Sequence, residues 1–132
     1  LRETGILSFG FFIYGYPGET EKDMYETTRF ACSLPLDYAN FYPAVPYPGT
    51  AFYTKSMNNG YLHSTSWDKM EYSSYIIKTK DLNEAIVKKA VSRAYRSFYM
   101  RPKFIYKHIK NIGPMNFFSS SIKYSLKYFV KI

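Results

Sequence analysis

Two loops carry the residue types that bind ligands in α/β proteins. The first, Gly15-Tyr-Pro-Gly-Glu-Thr20, follows an apolar run and precedes a predicted helix, and the second, 43–50, is rich in proline. In parallel sheets, ligands bind beyond the carboxyl ends of the strands, where helix N-terminal amides can face an anion. The same residues also suit ordinary tight turns. Neither loop has the spacing of a P-loop or of a dinucleotide-binding fingerprint.

Residues of the familiar catalytic sets are sparse. His63 and His108 lie far apart in polar surroundings and are predicted to be solvated. Cys32 is predicted to be a buried, inert thiol, and Glu19 and Asp37 have no evident partner in the sequence. A single cysteine excludes an internal disulfide and any metal site built from several thiolates of this chain. It favours a reducing, cytoplasmic setting.

The hydrophobic pattern around the two loops predicts a parallel βαβ unit. A continuous apolar run predicts a strand over 7–14 that is buried on both faces. Thr20 is suited to cap a helix over 21–33, which Pro35 ends. A second strand is predicted over 37–42. The order strand, helix, strand predicts a right-handed crossover between parallel neighbours.

The rest of the chain reads mainly as helices. A short helix is predicted over 51–57, and residues 75–77 suit an extended piece. Asp81-Leu-Asn-Glu84 has the spacing of a capping box with Asp81 at the N-cap, which predicts a helix to about Met100. Further helices are predicted over 103–111 and 117–130. The apolar stripe of the long helix is expected to be Leu82, Ile86, Ala90, Ala94 and Phe98.

Charge is distributed unevenly along the 132 residues. Residues 1–84 hold seven basic and ten acidic residues, whereas 85–132 hold eleven basic residues and no acidic one. The basic residues of 85–132 either form the solvated polar faces of amphipathic helices or belong to a module that binds the phosphate groups of anionic membrane or nucleic acid. The hydrophobic share of 46% excludes a disordered chain, and no apolar run is long enough to span a bilayer.

Several segments, taken together, resemble the radical S-adenosylmethionine (SAM) superfamily, and most of all its cobalamin-binding group that includes magnesium-protoporphyrin monomethyl ester cyclase-like proteins. The likeness is strong over about 1–55 and looser through Trp67 and the 93–102 helix end. It rests on Gly10-Phe-Phe-Ile-Tyr-Gly-Tyr-Pro-Gly-Glu-Thr20, Thr28-Arg-Phe-Ala31, Leu36-Asp-Tyr-Ala39, Pro46-Tyr-Pro-Gly-Thr50 and Phe98-Tyr-Met-Arg-Pro102.

The resemblance implies an α/β fold, namely the C-terminal part of a partial (β/α) barrel followed by an α-helical extension. The two strands would be the fifth and sixth of the barrel. Ile13 and Gly15 would lie on the adenine side of SAM, together with Pro43 and Ala44 of the second loop. The family's cofactors are SAM, a [4Fe–4S] cluster and, in this group, cobalamin, and its chemistry is radical methyl transfer or cyclisation on a small molecule.

The chain departs from the family in lacking the Cys-x-x-x-Cys-x-x-Cys motif and the Gly-Gly-Glu segment. A full barrel needs roughly 200 residues or more. We therefore expect an inactive C-terminal fragment that binds no cofactor alone and whose partner is the upstream part of the same barrel. It would comprise the barrel end (1–58), an irregular connection (59–80) and a basic helical region (81–132).

The first strand of such a fragment would expose its open edge and both apolar faces. We therefore expect an isolated chain that is poorly soluble or molten, which a cooperative thermal transition of a monomer would refute. The alternative function is a small basic module that contacts anionic membrane weakly, or nucleic acid, which is the less favoured partner. Its test is substitution of Lys123, Lys127 and Lys131 by glutamine.

Overall fold

The computed structural model describes residues 6–62 and 75–112. It has the element order β1 (Phe9–Tyr14), α1 (Glu21–Ser33), β2 (Tyr38–Pro43), α2 (Ala51–Asn58), α3 (Glu84–Tyr99) and α4 (Pro102–Ile112). The predicted helices and strands that fall within these residues are present, with ends shifted by two residues or fewer apart from the start of α3. His63, Trp67 and the 117–130 stretch with its three lysines fall outside the described residues, as does the side chain of His108.

The two strands form a parallel pair in a two-stranded sheet, as predicted. Phe9 is paired with Tyr38 and Tyr14 with Pro43, so the register runs through all six positions. Helix α1 connects the strands and begins and ends where its sequence signals predicted. The hydroxyl of Thr20 accepts from the Asp23 amide, the Asp23 carboxylate accepts from the Thr20 amide, and Leu34 before Pro35 is already extended.

The prediction that β1 is buried on both faces is wrong, and so is the expectation that both faces are exposed. Phe12 and Tyr14 point toward α1 and α3, and Tyr14 has no exposed surface. Phe9, Phe11 and Ile13 point the other way and are 56, 66 and 47% exposed. The physical reason is that a strand alternates its side chains, and the described helices cover only one of its faces.

Helix α3 completes the layer over the sheet. Its N-cap is Asn83, whose side-chain oxygen accepts from the Ile86 amide, so the predicted cap at Asp81 is wrong. Leu82 is buried before the helix starts, and within the helix the buried positions are Val87, Ala94 and Phe98, while Ile86 and Ala90 are only partly buried.

Aromatic rings form the centre of the core. The Phe41 ring lies 5.1 Å from that of Tyr95, 5.4 Å from that of Phe12 and 6.0 Å from that of Phe98, measured between centroids. These contacts join β1, β2 and α3. The helical region that starts at 81 therefore shares one core with the strands, and aromatic pairs of this kind stabilise it beyond the area they bury.

Residues 75–77 lie against this core. Tyr75, Ile76 and Ile77 are each 2% exposed or less, and Ile77 forms one antiparallel bridge with Leu62. The prediction of a short extended piece is confirmed as a single bridge rather than a strand. Its function in the structure is to bring a buried tyrosine to the end of β1.

Candidate functional site

The structure brings the two loops together at the carboxyl end of the strand pair. The Ala44 amide donates to the Tyr14 carbonyl at 2.7 Å, which continues the ladder beyond the strands. The rings of Tyr16 and Phe52 lie 4.7 Å apart, so α2 also contacts the first loop. The prediction that both loops share one edge of the sheet is confirmed.

The first loop is closed by its own carboxylate. Glu19 Oε2 accepts from the Gly15 amide at 2.7 Å and from the Tyr16 amide at 3.1 Å. At the start of α1, Thr20 donates to Asp23 from its amide and from its hydroxyl, and these bonds lower the pKa of Asp23. Because carboxylates already occupy the amides that an anion would use, the loop disfavours a phosphate site.

Gly15 is held tightly from the other side as well. Its φ of +86° is strained for residues with a side chain, and a Cβ there would lie 2.7 Å from Cε2 of Tyr75 and 2.9 Å from Cγ2 of Val87. The Tyr75 hydroxyl donates to the Gly15 carbonyl at 2.8 Å. Glycine is therefore required here by protein packing, and a ligand can meet this residue only through its backbone.

Ile13 lies on a surface that we call the open sheet face, formed by Phe9, Phe11 and Ile13 of β1 and by Tyr38, Asn40 and Tyr42, their register partners in β2. The rings of Phe9 and Tyr38 stack at 4.8 Å. This surface contains no charged side chain. It is therefore suited to pack against a flat or apolar group.

Pro43 is the register partner of Tyr14, Ala44 follows it directly, and both residues are buried. Ala44 is 2% exposed. The structure thus places Ile13, Gly15, Pro43 and Ala44 at one end of the strand pair. Ile13 is the one of the four with an exposed side chain, whereas the Gly15 amide and carbonyl and the Ala44 amide already have protein partners.

The outer edge of β2 is closed by two hydroxyl groups of α3. Tyr99 donates to the Ala39 carbonyl at 2.8 Å and accepts from the Ala39 amide at 3.2 Å, and Tyr95 accepts from the Phe41 amide at 3.2 Å. In a parallel pair, these backbone groups point away from β1. The groups of Phe9, Phe11 and Ile13 point away from β2, where the described residues provide no further strand.

Several of these roles were missed in the sequence. Glu19 and Asp37, which had no evident partner there, both have one: Asp37 Oδ2 accepts from the amide and hydroxyl of Ser8 at 2.8 and 2.9 Å. The tyrosines at 75, 95 and 99 gave no local signal, because their partners lie 54 to 60 residues away. The one available signal is general: a tyrosine that is buried usually has a hydrogen-bond partner for its hydroxyl.

Cys32 is half-buried on α1, and burial raises the pKa of its thiol. Its backbone carbonyl accepts a hydrogen bond from Nη1 of Arg101. The raised pKa opposes a thiolate nucleophile, in line with the sequence prediction. Over residues 6–62 and 75–112, no group of three or more His, Cys, Asp or Glu side chains is placed to hold a metal ion, and no helix has the length and apolarity needed to cross a membrane.

The chain is similar to two curated enzymes. It is 36% identical over 108 residues to an uncharacterized methyltransferase of Pyrococcus horikoshii, a match that covers 82% of this chain and 24% of the relative. It is 30% identical over 101 residues to the anaerobic magnesium-protoporphyrin IX monomethyl ester cyclase of Cereibacter sphaeroides, covering 76% and 16%. No protein-family model and no solved structure matches it significantly.

Both similarities are consistent with a family related to the radical SAM superfamily, as the motifs indicated. The chain spans less than a quarter of the length of either relative. Both relatives are named as enzymes, whereas neither name points to a membrane- or nucleic-acid-binding module. The alternative function is therefore without support.

Proposed function

We propose that the chain is the end of the catalytic barrel of a radical SAM enzyme that performs methyl transfer or cyclisation on a small molecule. One observation supports this most directly. The two segments that carry the resemblance, 7–14 and 37–42, lie side by side as parallel strands with both loops on one edge. A partial barrel requires that arrangement of consecutive βα units.

In this proposal the open sheet face lines the barrel interior, and Ile13 packs against the adenine of SAM. Gly15, Pro43 and Ala44 lie at the same end of the strand pair and shape the backbone that borders it. The upstream part of the barrel pairs with the outer edge of β1, because Tyr95 and Tyr99 already close the edge of β2. The sheet would then end at β2.

The iron–sulfur cluster does not fit the residues of this chain. Its one cysteine, Cys32, lies on α1 with a raised pKa and cannot provide three thiolates. The upstream part of the barrel would hold the cluster, as well as cobalamin if the enzyme uses it, and the chain alone would be inactive. The lone cysteine also supports a reducing compartment, and we place the enzyme in the cytoplasm.

The reading frame upstream of Leu1 gives the first test. We expect an in-frame Cys-x-x-x-Cys-x-x-Cys motif on the order of 100 or more codons before it, because a barrel of normal size places the cluster loop that far upstream. A frame of that length without the motif would contradict the proposal.

The second test is a hybrid protein in which this chain replaces the 108 matched residues of the Pyrococcus horikoshii methyltransferase. We expect the hybrid, after anaerobic reconstitution with iron and sulfide, to bind SAM. Ile13→Lys is expected to abolish binding, because it places a charge on the open sheet face. Phe30→Lys is the matched control, since Phe30 is 58% exposed on α1. Equal binding by both variants would contradict the placement of the site.

A further inference from the structure

Tyr75 is the point where the connection between α2 and α3 meets the candidate site. Its side chain is 1% exposed, and its hydroxyl donates to the Gly15 carbonyl. The segment that carries it is fixed by the Leu62–Ile77 bridge and by a 2.8 Å bond from the Lys78 amide to the Tyr61 carbonyl. Tyr75 is therefore a rigid contact that reaches the loop from outside the βαβ unit.

The backbone of Gly15 is held at both of its polar atoms. Glu19 binds the amide and Tyr75 binds the carbonyl. Glycine at a φ of +86° has wide conformational freedom when nothing restrains it. The two bonds therefore fix the direction in which the chain leaves β1, two residues after Ile13.

The ring of Tyr75 has a separate effect. It fills the space that a side chain at position 15 would need, with Cε2 only 2.7 Å from the ideal Cβ position. The ring excludes other residues at position 15, and the hydroxyl orients the glycine that remains. A variant that loses only the Tyr75 hydroxyl therefore tests the hydrogen bond that orients the loop while the ring still packs against Gly15.

We propose that Tyr75 is a positioning residue for the SAM site: its hydroxyl orients the Gly15 carbonyl and with it the loop that borders the adenine. This inference rests on the proposed function. Tyr75 itself is buried on the core side and touches no ligand. Its loss therefore weakens SAM binding without removing any group that contacts SAM.

The orientation step is tested in the hybrid protein without SAM by amide hydrogen exchange. Tyr75→Phe keeps the ring and removes one hydrogen bond, and Tyr95→Phe is the matched control because its hydroxyl binds the edge of β2. We expect exchange of the Gly15 amide to become roughly three- to tenfold faster in Tyr75→Phe and to stay unchanged in Tyr95→Phe. The Ala39 amide, which donates to the Tyr99 hydroxyl at the other end of the sheet, is the internal reference.

Equal acceleration at Gly15 and Ala39 in Tyr75→Phe would show a general loss of stability and would overturn the proposal. Unchanged exchange at Gly15 would overturn it as well. Both readings are obtained without SAM, so they do not depend on the proposed function.

The functional step is tested in the hybrid protein with SAM as the varied ligand. We expect Tyr75→Phe to raise KM for SAM by roughly three- to tenfold with kcat unchanged, because the loop affects binding before and during the reaction equally. Tyr95→Phe should leave both constants as they are. If the unsubstituted hybrid folds and binds no SAM, the proposed function fails. If it binds SAM and Tyr75→Phe matches Tyr95→Phe, only the positioning role fails.

Discussion

Arg101 joins the ends of two helices, and its removal should destabilise the whole unit. Its Nε donates to the Phe98 carbonyl at 2.8 Å, its Nη1 donates to the Cys32 carbonyl, and its guanidinium carbon lies 4.0 Å above the Phe98 ring centre. The last turn of α1 contains no basic residue of its own. Arg101 therefore provides the positive charge that favours the C-terminus of α1 as well as that of α3.

The magnitude follows from these contacts. Two hydrogen bonds from a charged donor contribute about 1.5 kcal/mol each at the low end of the range, which suits a half-buried group. A cation over an aromatic ring adds about 0.5–1 kcal/mol. Arg101→Ala is therefore expected to cost about 3.5–4 kcal/mol, against about 5–15 kcal/mol for the total stability of a typical domain.

Urea unfolding followed by circular dichroism measures this loss. With a slope of about 2 kcal/mol per molar urea, the midpoint should fall by roughly 2 M. Arg101→Lys keeps the charge but lacks the planar fork that reaches two carbonyls, so we expect about half that shift. Arg29→Ala, an exposed arginine on α1, should change the midpoint little. Equal midpoints for Arg101→Ala and Arg29→Ala would refute the reasoning, and a wild-type midpoint for Arg101→Lys would refute the two-carbonyl explanation.

Three further predictions concern the residues around the sheet. Tyr99→Phe removes the two bonds at the edge of β2 and should cost about 1–3 kcal/mol in urea unfolding, whereas a loss below about 0.5 kcal/mol would show that water replaces the hydroxyl. Gly15→Ala should lower the free energy of unfolding by about 2–4 kcal/mol and Gly18→Ala by about 1 kcal/mol. Both glycines have positive φ, but only at Gly15 would the new Cβ meet neighbouring atoms, so equal losses of stability in the two variants would contradict the packing argument. Burial raises the pKa of Tyr14 and Tyr75 to about 12 from an ordinary value of 10. Since the folded state favours the neutral phenols, their contribution to the free energy of unfolding is complete below about pH 10 and is lost as the pH rises to about 12. A urea midpoint that stays constant between these two pH values would exclude the effect.

The parts of the fold that depend on neighbouring residues could be predicted from the sequence. Helix α1 begins at a capping box and ends before a proline, and both signals act within one turn. The start of α3 shows where this fails. Asp81 and Glu84 have capping-box spacing, but burial of Leu82 and a bond from its amide to the Thr79 hydroxyl at 3.1 Å place the cap at Asn83.

The candidate site was predictable only in part for the same reason. The glycine loop and the proline loop are local patterns, and a parallel sheet necessarily places them at one edge. The groups that hold them there are not local. A hydroxyl that meets a carbonyl 60 residues away leaves no periodicity in the sequence, so neither Tyr75 nor Tyr99 could be assigned before the fold was known.

The two unprotected surfaces of the sheet meet on the same strand. Over residues 6–62 and 75–112, tyrosine hydroxyls close the edge of β2 and helices cover one face, whereas no described element covers the outer edge of β1 or the open sheet face. An edge strand in a stable domain is normally protected by charge, proline or a bulge, whereas residues 6–16 contain no charged residue and no proline. A neighbour that supplied one strand would satisfy the edge and, by curving, cover Phe9, Phe11 and Ile13, which are 56, 66 and 47% exposed. That burial would contribute about 1 kcal/mol per side chain, so pairing at β1 stabilises the strand that carries the proposed SAM contact.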